Sequence, residues 1–220
     1  QAFDLPPHGR LAYESNVSLI RSSGNWSVVP PDAPFLSAPL GAASRPRMTI
    51  LQRNTPDRRL YPDDFQTVAW SKGIEVTVVS AETLSVSQQV ALLRFTDVLV
   101  AVHGAGAILQ MFMDTEGMNR NCRTWIELVP WAPRYKLPVM MQQSLLSSIG
   151  YVALEATDIH FAASVPISLR RRARKAKSQA SVGAFEYLRV PHTLLYAKQH
   201  IEGAVDEALR NWHRCGSSPV

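Results

Sequence analysis

The chain has 220 residues, 46% hydrophobic and 19% charged, so it can bury the core of one α/β domain and is not a disordered polymer. Its net charge of +5 favours anionic ligands, but much of the excess sits in Arg170, Arg171, Arg172, Arg174, Lys175 and Lys177. That run lacks the interleaved aromatics that stack on bases, so no nucleic-acid partner is expected, and no stretch reaches the about 18 apolar residues that span a bilayer.

Residues 1–46 scatter Pro, Ser and Gly, with Pro30-Pro31, Pro34, Pro39 and Pro46 breaking any periodicity. They read as an extended lead-in or the remnant of an N-terminal domain. No signal peptide is visible, and Gln1 is not an initiator methionine, which implies an upstream part. Two sequons in this stretch, Asn16-Val17-Ser18 and Asn25-Trp26-Ser27, are compatible with a secretory route. The two cysteines, Cys122 and Cys215, have neither CxxC nor zinc spacing. They read as free thiols, or as a disulfide in an oxidising compartment.

Regular structure is expected from residue 47. Met48-Thr49-Ile50-Leu51 is a first strand, and Pro62-Asp63-Asp64 opens a helix that buries Phe65, Val68 and Ala69 and stops at Gly73. Val76–Val79 is a β-branched second strand. Ser85 and Gln88 form a capping-box signature ahead of Val86, Val90 and Leu93. Val98–Val102 is apolar at every position, which predicts a central strand. A helix carrying Ile108, Met111 and Phe112 comes next, then a fourth strand Trp125–Val129, a helix over 137–148 and a fifth strand Tyr151–Leu154. The alternation predicts a doubly wound parallel sheet, Rossmann-like, over residues 47–155. Residues 156–220 read as an irregular basic segment to 192, then a docking helix from about Leu194 to Trp212 with Leu195, Ile201, Val205 and Leu209 apolar.

The chemistry concentrates at His103-Gly104-Ala105-Gly106, directly after the central strand. A strand that turns through glycines into a helix exposes N–H groups without helical partners, and the helix dipole adds positive potential there. Gly104 and Gly106 let a diphosphate approach the backbone, and His103 can donate to a phosphate oxygen. The same glycines are also what a tight strand-to-helix turn requires. The dinucleotide fingerprint is half present, since Leu109 stands where a third glycine belongs. Glu127, near the end of the next strand, is a candidate for ribose hydroxyls. Arg53 and Arg59, with Arg58 competing, come after the first strand and suit neutralisation of a diphosphate. Asp63-Asp64 is no DxD metal site and fits helix capping, and no metal-ligand cluster is found.

The run SVSQQVALLRFTDVLVAVHGAGAILQMFM, with WIELVP after it, resembles the signature of glycosyltransferase family 61, which includes plant xylosyl- and arabinosyltransferases, the EGF-domain-specific O-GlcNAc transferase and the O-mannose-linked GlcNAc transferase. Gln89, His103, Gly104, Ala105, Gly106, Phe112, Met113 and Glu127 fall on the family's positions, and the resemblance covers about residues 47–155. It implies a GT-B fold of which this chain is the C-terminal, donor-binding half. It also implies metal-independent, inverting transfer from a UDP-sugar, UDP-GlcNAc or a UDP-pentose such as UDP-xylose, to a protein-linked glycan or polysaccharide. The family works in the Golgi or endoplasmic reticulum lumen. No cofactor is implied beyond the donor. Family members continue after HGAG with Leu-Thr-Asn, where this chain has Ala107-Ile108-Leu109. No catalytic base can be placed; Asp114 is the nearest acid after the turn. The alternatives are a non-catalytic binding or interaction module of the same ancestry and a redox Rossmann domain.

Overall fold

A computed structural model describes residues 45–52, 59–113, 122–129, 149–171 and 192–216. The strands in chain order are β1 (Arg47–Gln52), β2 (Arg59–Leu60), β3 (Glu75–Ser80), β4 (Val98–Val102), β5 (Thr124–Val129), β6 (Gly150–Glu155), β7 (Asp158–Phe161) and β8 (His192–Leu195). The α-helices whose two ends both fall among the described residues are α1 (Pro62–Ser71), α2 (Val86–Arg94) and α3 (Lys198–Gly216). Five strands form one sheet in the order β3-β1-β4-β5-β6, every neighbouring pair parallel. The doubly wound parallel α/β fold expected from the sequence is therefore present. The helix expected over 137–148 lies outside the described residues.

Local signals explain the helices. Pro62 opens α1, with Asp63 and Asp64 in its first turn where the dipole favours them. Phe65, Val68 and Ala69 are its buried stripe, and Gly73, at φ 76°, supplies the left-handed residue beyond its end. Both arms of the α2 capping box form: Gln88 N–H donates to Ser85 Oγ at 3.3 Å, and Ser85 N–H to Gln88 Oε1 at 2.9 Å. Val90 and Leu93 are buried as expected, but Val86 is 61% exposed. It is the first helical residue, and its Cβ tilts towards the N-terminus, past the turns that pack.

The period of two along each strand splits the core between the two faces of the large sheet. Met48, Ile50, Val98, Val100, Ile126 and Leu128 pack with Phe65 and Val68 of α1 and with Ile201, Val205 and Ala208 of α3. Leu51, Leu99, Ala101 and Trp125 pack instead with Leu93 of α2 and with Met113. β4 is buried at all five positions and sits in the middle of the sheet.

Where the sequence reads as irregular, residues 158–161 form β7, and β8 begins at His192. β7 pairs antiparallel with β8, and β8 pairs parallel with β2, giving a second, three-stranded sheet. Leu60, Ile159, Phe161 and Leu194 carry this sheet into the core beneath α1 and α3. Leu194 and Leu195 belong to β8, so the last helix starts at Lys198 and not at Leu194. The docking surface of α3 is intramolecular: Asn211 Nδ2 donates to Thr124 Oγ1 of β5 at 3.0 Å, and Lys72, just past α1, pairs with Asp206 at 2.6 Å. Among the described residues no helix is long and apolar enough to cross a membrane.

Candidate functional site: the turn after the central strand

His103 extends the β4–β5 pairing by one residue, its N–H donating to Leu128 O at 2.9 Å. Gly104 comes next at φ 149° and ψ −172°, a region open to glycine and strained for any residue with a Cβ. The turn then enters a 3₁₀ helix, Ala105–Phe112, where an α-helix was expected. Eight residues is long for this form, whose hydrogen-bond geometry is poorer than that of an α-helix. No side-chain hydrogen bond caps its start. Gly104 thus does two things: it permits the backbone reversal and leaves the end of the central strand unobstructed by a side chain.

Behind the turn lies a buried polar chain. His103 Nδ1 and Glu127 Oε1 are 2.5 Å apart, and Tyr151 Oη donates to Glu127 Oε2, also at 2.5 Å. The Glu127 side chain is 0% exposed and that of His103 16%. Glu127 stands in register with Ala101 of β4 and Ala153 of β6, small neighbours that leave space beside it. Tyr151 lies beside Trp125 in register, their rings edge to face at 5.4 Å. Burial pushes the Tyr151 hydroxyl far above its ordinary range, and the hydrogen bond to Glu127 and that carboxylate's charge add to the shift. The phenol therefore stays a donor, and the Glu127 carboxylate is held between two protein partners. Each Glu127 oxygen thus has a protein partner, and the side chain has no exposed surface.

In front of the turn is a cavity of about 260 Å³ lined by Leu51, Gln52, Ala81, Glu82, Gln89, Ala101, Val102, Gly104 and Leu109. Its walls come from the carboxyl ends of β1 and β4 and from the segments after β3. In a sheet of order β3-β1-β4-β5-β6 the chain reverses its direction of winding between β1 and β4. Crevices outside the carboxyl ends of strands at such a switch point are where open α/β sheets bind ligands.

The fold distributes the residues singled out from the sequence unevenly. His103 and Glu127 are brought together, and Gly104 lines the cavity. Ala105 and Gly106 begin the 3₁₀ helix. Arg59 lies in β2, opposite Thr193 of β8, in the small sheet. Arg53, Arg58 and Asp114 lie outside the described residues. Sequence reasoning gave no role to Tyr151, Gln52 or Glu82 and placed Gln89 only as a family match. The signal for Tyr151 was its strand position two residues from the register partner of Glu127, which needs strand pairing to be seen. Among the described residues no group of three His, Cys, Asp or Glu side chains is placed to hold a metal ion.

Over 87 residues, 40% of its length, the chain is 36% identical to the beta-1,2-xylosyltransferase XAX1 of Oryza sativa subsp. japonica. The alignment spans 14% of that relative's length. The glycosyltransferase 61 family profile matches residues 6–119, starting well ahead of β1 and ending beyond the His103–Gly106 turn. With more than half of its residues inside that match, the chain belongs to glycosyltransferase family 61.

Proposed function

We propose that this domain binds the nucleotide-sugar donor of an inverting glycosyltransferase that uses a UDP-sugar, xylose being favoured by the name of the rice relative. The observation that carries the reading is the glycine-only bend at Gly104, placed at the carboxyl edge of the central strand and on the wall of the switch-point cavity. There the uncapped N–H groups at the start of the 3₁₀ helix and the His103 imidazole face a linked pair of phosphates. Glu127 and Tyr151 fix the ring of His103, so its orientation is set before ligand arrives and little reorganisation is needed. Arg53 and Arg59 neutralise the diphosphate as it leaves, with arginine's planar fork suited to phosphate oxygens. The acceptor is a protein-linked glycan or a polysaccharide, attacked in one in-line displacement without a metal. A Golgi or endoplasmic reticulum lumen suits Cys122, which is disulfide-bonded.

Calorimetric titration with UDP and UDP-xylose tests this directly. The wild-type chain is expected to bind both. His103→Ala is expected to lose at least tenfold in affinity, and Gly104→Val to abolish binding because a Cβ is strained at that φ. Absence of binding to any uridine nucleotide removes the proposal. A second reading, a non-catalytic module of the same ancestry, is favoured by one observation: Leu109, where the family places asparagine, is an apolar wall of the cavity. It is distinguished by transfer activity of the full-length polypeptide, which a non-catalytic module lacks even while UDP binds.

A further inference from the structure

The switch-point cavity holds one polar group whose orientation is fixed by the protein. Gln89 of α2 uses both hydrogens of its side-chain amide locally, Nε2 donating to Ala81 O at 2.8 Å and to Leu84 O at 3.0 Å. A flipped amide would set its oxygen against two carbonyl oxygens, so the assignment of oxygen and nitrogen is unambiguous. What Gln89 has left to offer a ligand is Oε1, an acceptor. The capping box of α2 and the bond from Gln89 N–H to Ser85 O, at 2.9 Å, hold the residue at the start of a well-anchored helix.

Around Gln89, Leu51, Ala101, Val102 and Leu109 make the cavity walls largely apolar, with Gln52 and Glu82 adding polar atoms. At about 260 Å³ the space falls just short of the roughly 300 Å³ at which whole-ligand pockets begin. It suits a fragment, a flat ring or a furanose, while Gly104 marks the end nearest the phosphates. Resting on the UDP-sugar reading above, we propose that this cavity is the nucleoside subsite. Gln89 Oε1 accepts there a hydrogen bond from an N–H of the base or an O–H of the ribose. The acceptor role that the sequence suggested for Glu127 falls to Gln89, which lines the cavity, whereas Glu127 is sealed behind the turn.

Two sources supply the donor, uracil N3–H and a ribose hydroxyl, and ligand analogues separate them without altering the protein. UDP, CDP, N3-methyl-UDP, 2′-deoxy-UDP and 3′-deoxy-UDP are titrated against the wild-type chain, and the Gln89 side-chain amide pair is followed by ¹⁵N NMR. UDP is expected to shift that pair. Loss of one hydrogen bond is worth about tenfold in affinity, more where the acceptor stays buried and unpaired. A drop of that size for CDP and N3-methyl-UDP assigns the bond to the base; a drop for a deoxy analogue assigns it to the ribose. If all analogues bind as UDP does, or UDP leaves the Gln89 signals in place, the subsite is wrong while the donor assignment stands. If no uridine nucleotide binds, the donor assignment itself fails and takes the subsite with it.

Discussion

On the face of the large sheet covered by α1 and α3, Ile50, Val98, Val100, Ile126 and Leu128 are fully buried against Phe65, Val205 and Ala208, all at 0% exposure. On the opposite face the apolar cluster among the described residues is smaller, and the same layer admits a buried carboxylate, a partly exposed imidazole and an open cavity. Both faces are lined by alternate residues of the same strands, so one strand contributes to stability with one side and to chemistry with the other. β5 shows this within adjacent residues: Ile126 and Leu128 fill the apolar face, while Glu127 between them holds His103. A site built this way is held by rigid strands, and residues on the other face can be altered without touching it.

Four substitutions sharpen or break that contrast. Phe65→Ala, on the α1 face, is expected to cost about 3–5 kcal/mol of stability in chemical denaturation. It should leave the UDP affinity of the folded protein unchanged; a parallel loss of affinity would mean the faces are coupled. Tyr151→Phe is expected to cost less, about 1–3 kcal/mol, because it takes one donor from the buried Glu127 carboxylate. Unlike Phe65→Ala it should also weaken UDP binding, through the altered hold on His103. If binding is untouched, the polar chain is structural only.

Gln110 is 1% exposed, and neither side-chain amide atom has a hydrogen-bond partner among the described residues. Gln110→Met should therefore raise stability by about 1 kcal/mol, read as an increase in melting temperature. Tyr196 has a buried hydroxyl without a hydrogen-bond partner among the described residues, and burial pushes its ionisation far above the ordinary phenol range. The folded state then keeps a proton that the unfolded chain loses above about pH 10, so stability is full below that pH and falls as pH rises beyond it. Tyr196→Phe removes this term. Near pH 7 the expected change is small and stabilising, and above about pH 10 the variant should outlast the wild type; equal alkaline melting curves would contradict this.

Much of this was legible in the residues. The capping box at Ser85 and Gln88, the fully apolar Val98–Val102 and the Pro62–Ser71 helix each carry a local signal strong enough to set the element. β7 and β8 were missed because they are four residues each and lie far apart in sequence, so only their pairing reveals them. The alternation of buried Ile159 and Phe161 with exposed Asp158 and His160 was the trace available. In the site, glycine at 104 was readable as a turn, but its φ and the 3₁₀ form of Ala105–Phe112 depend on tertiary packing. In the sequence Glu127 is simply an acid near a strand end. Whether such an acid meets ligand or protein depends on its neighbours across the sheet, and Tyr151 comes from another strand altogether.

A crystal structure with UDP bound is the most direct test of whether the turn at the end of β4 grips a nucleotide. The expected result is both phosphates within hydrogen-bond reach of the Gly104–Gly106 backbone, with the nucleoside in the cavity beside Gln89. Density for UDP elsewhere on the protein, or none at saturating concentration, would contradict it.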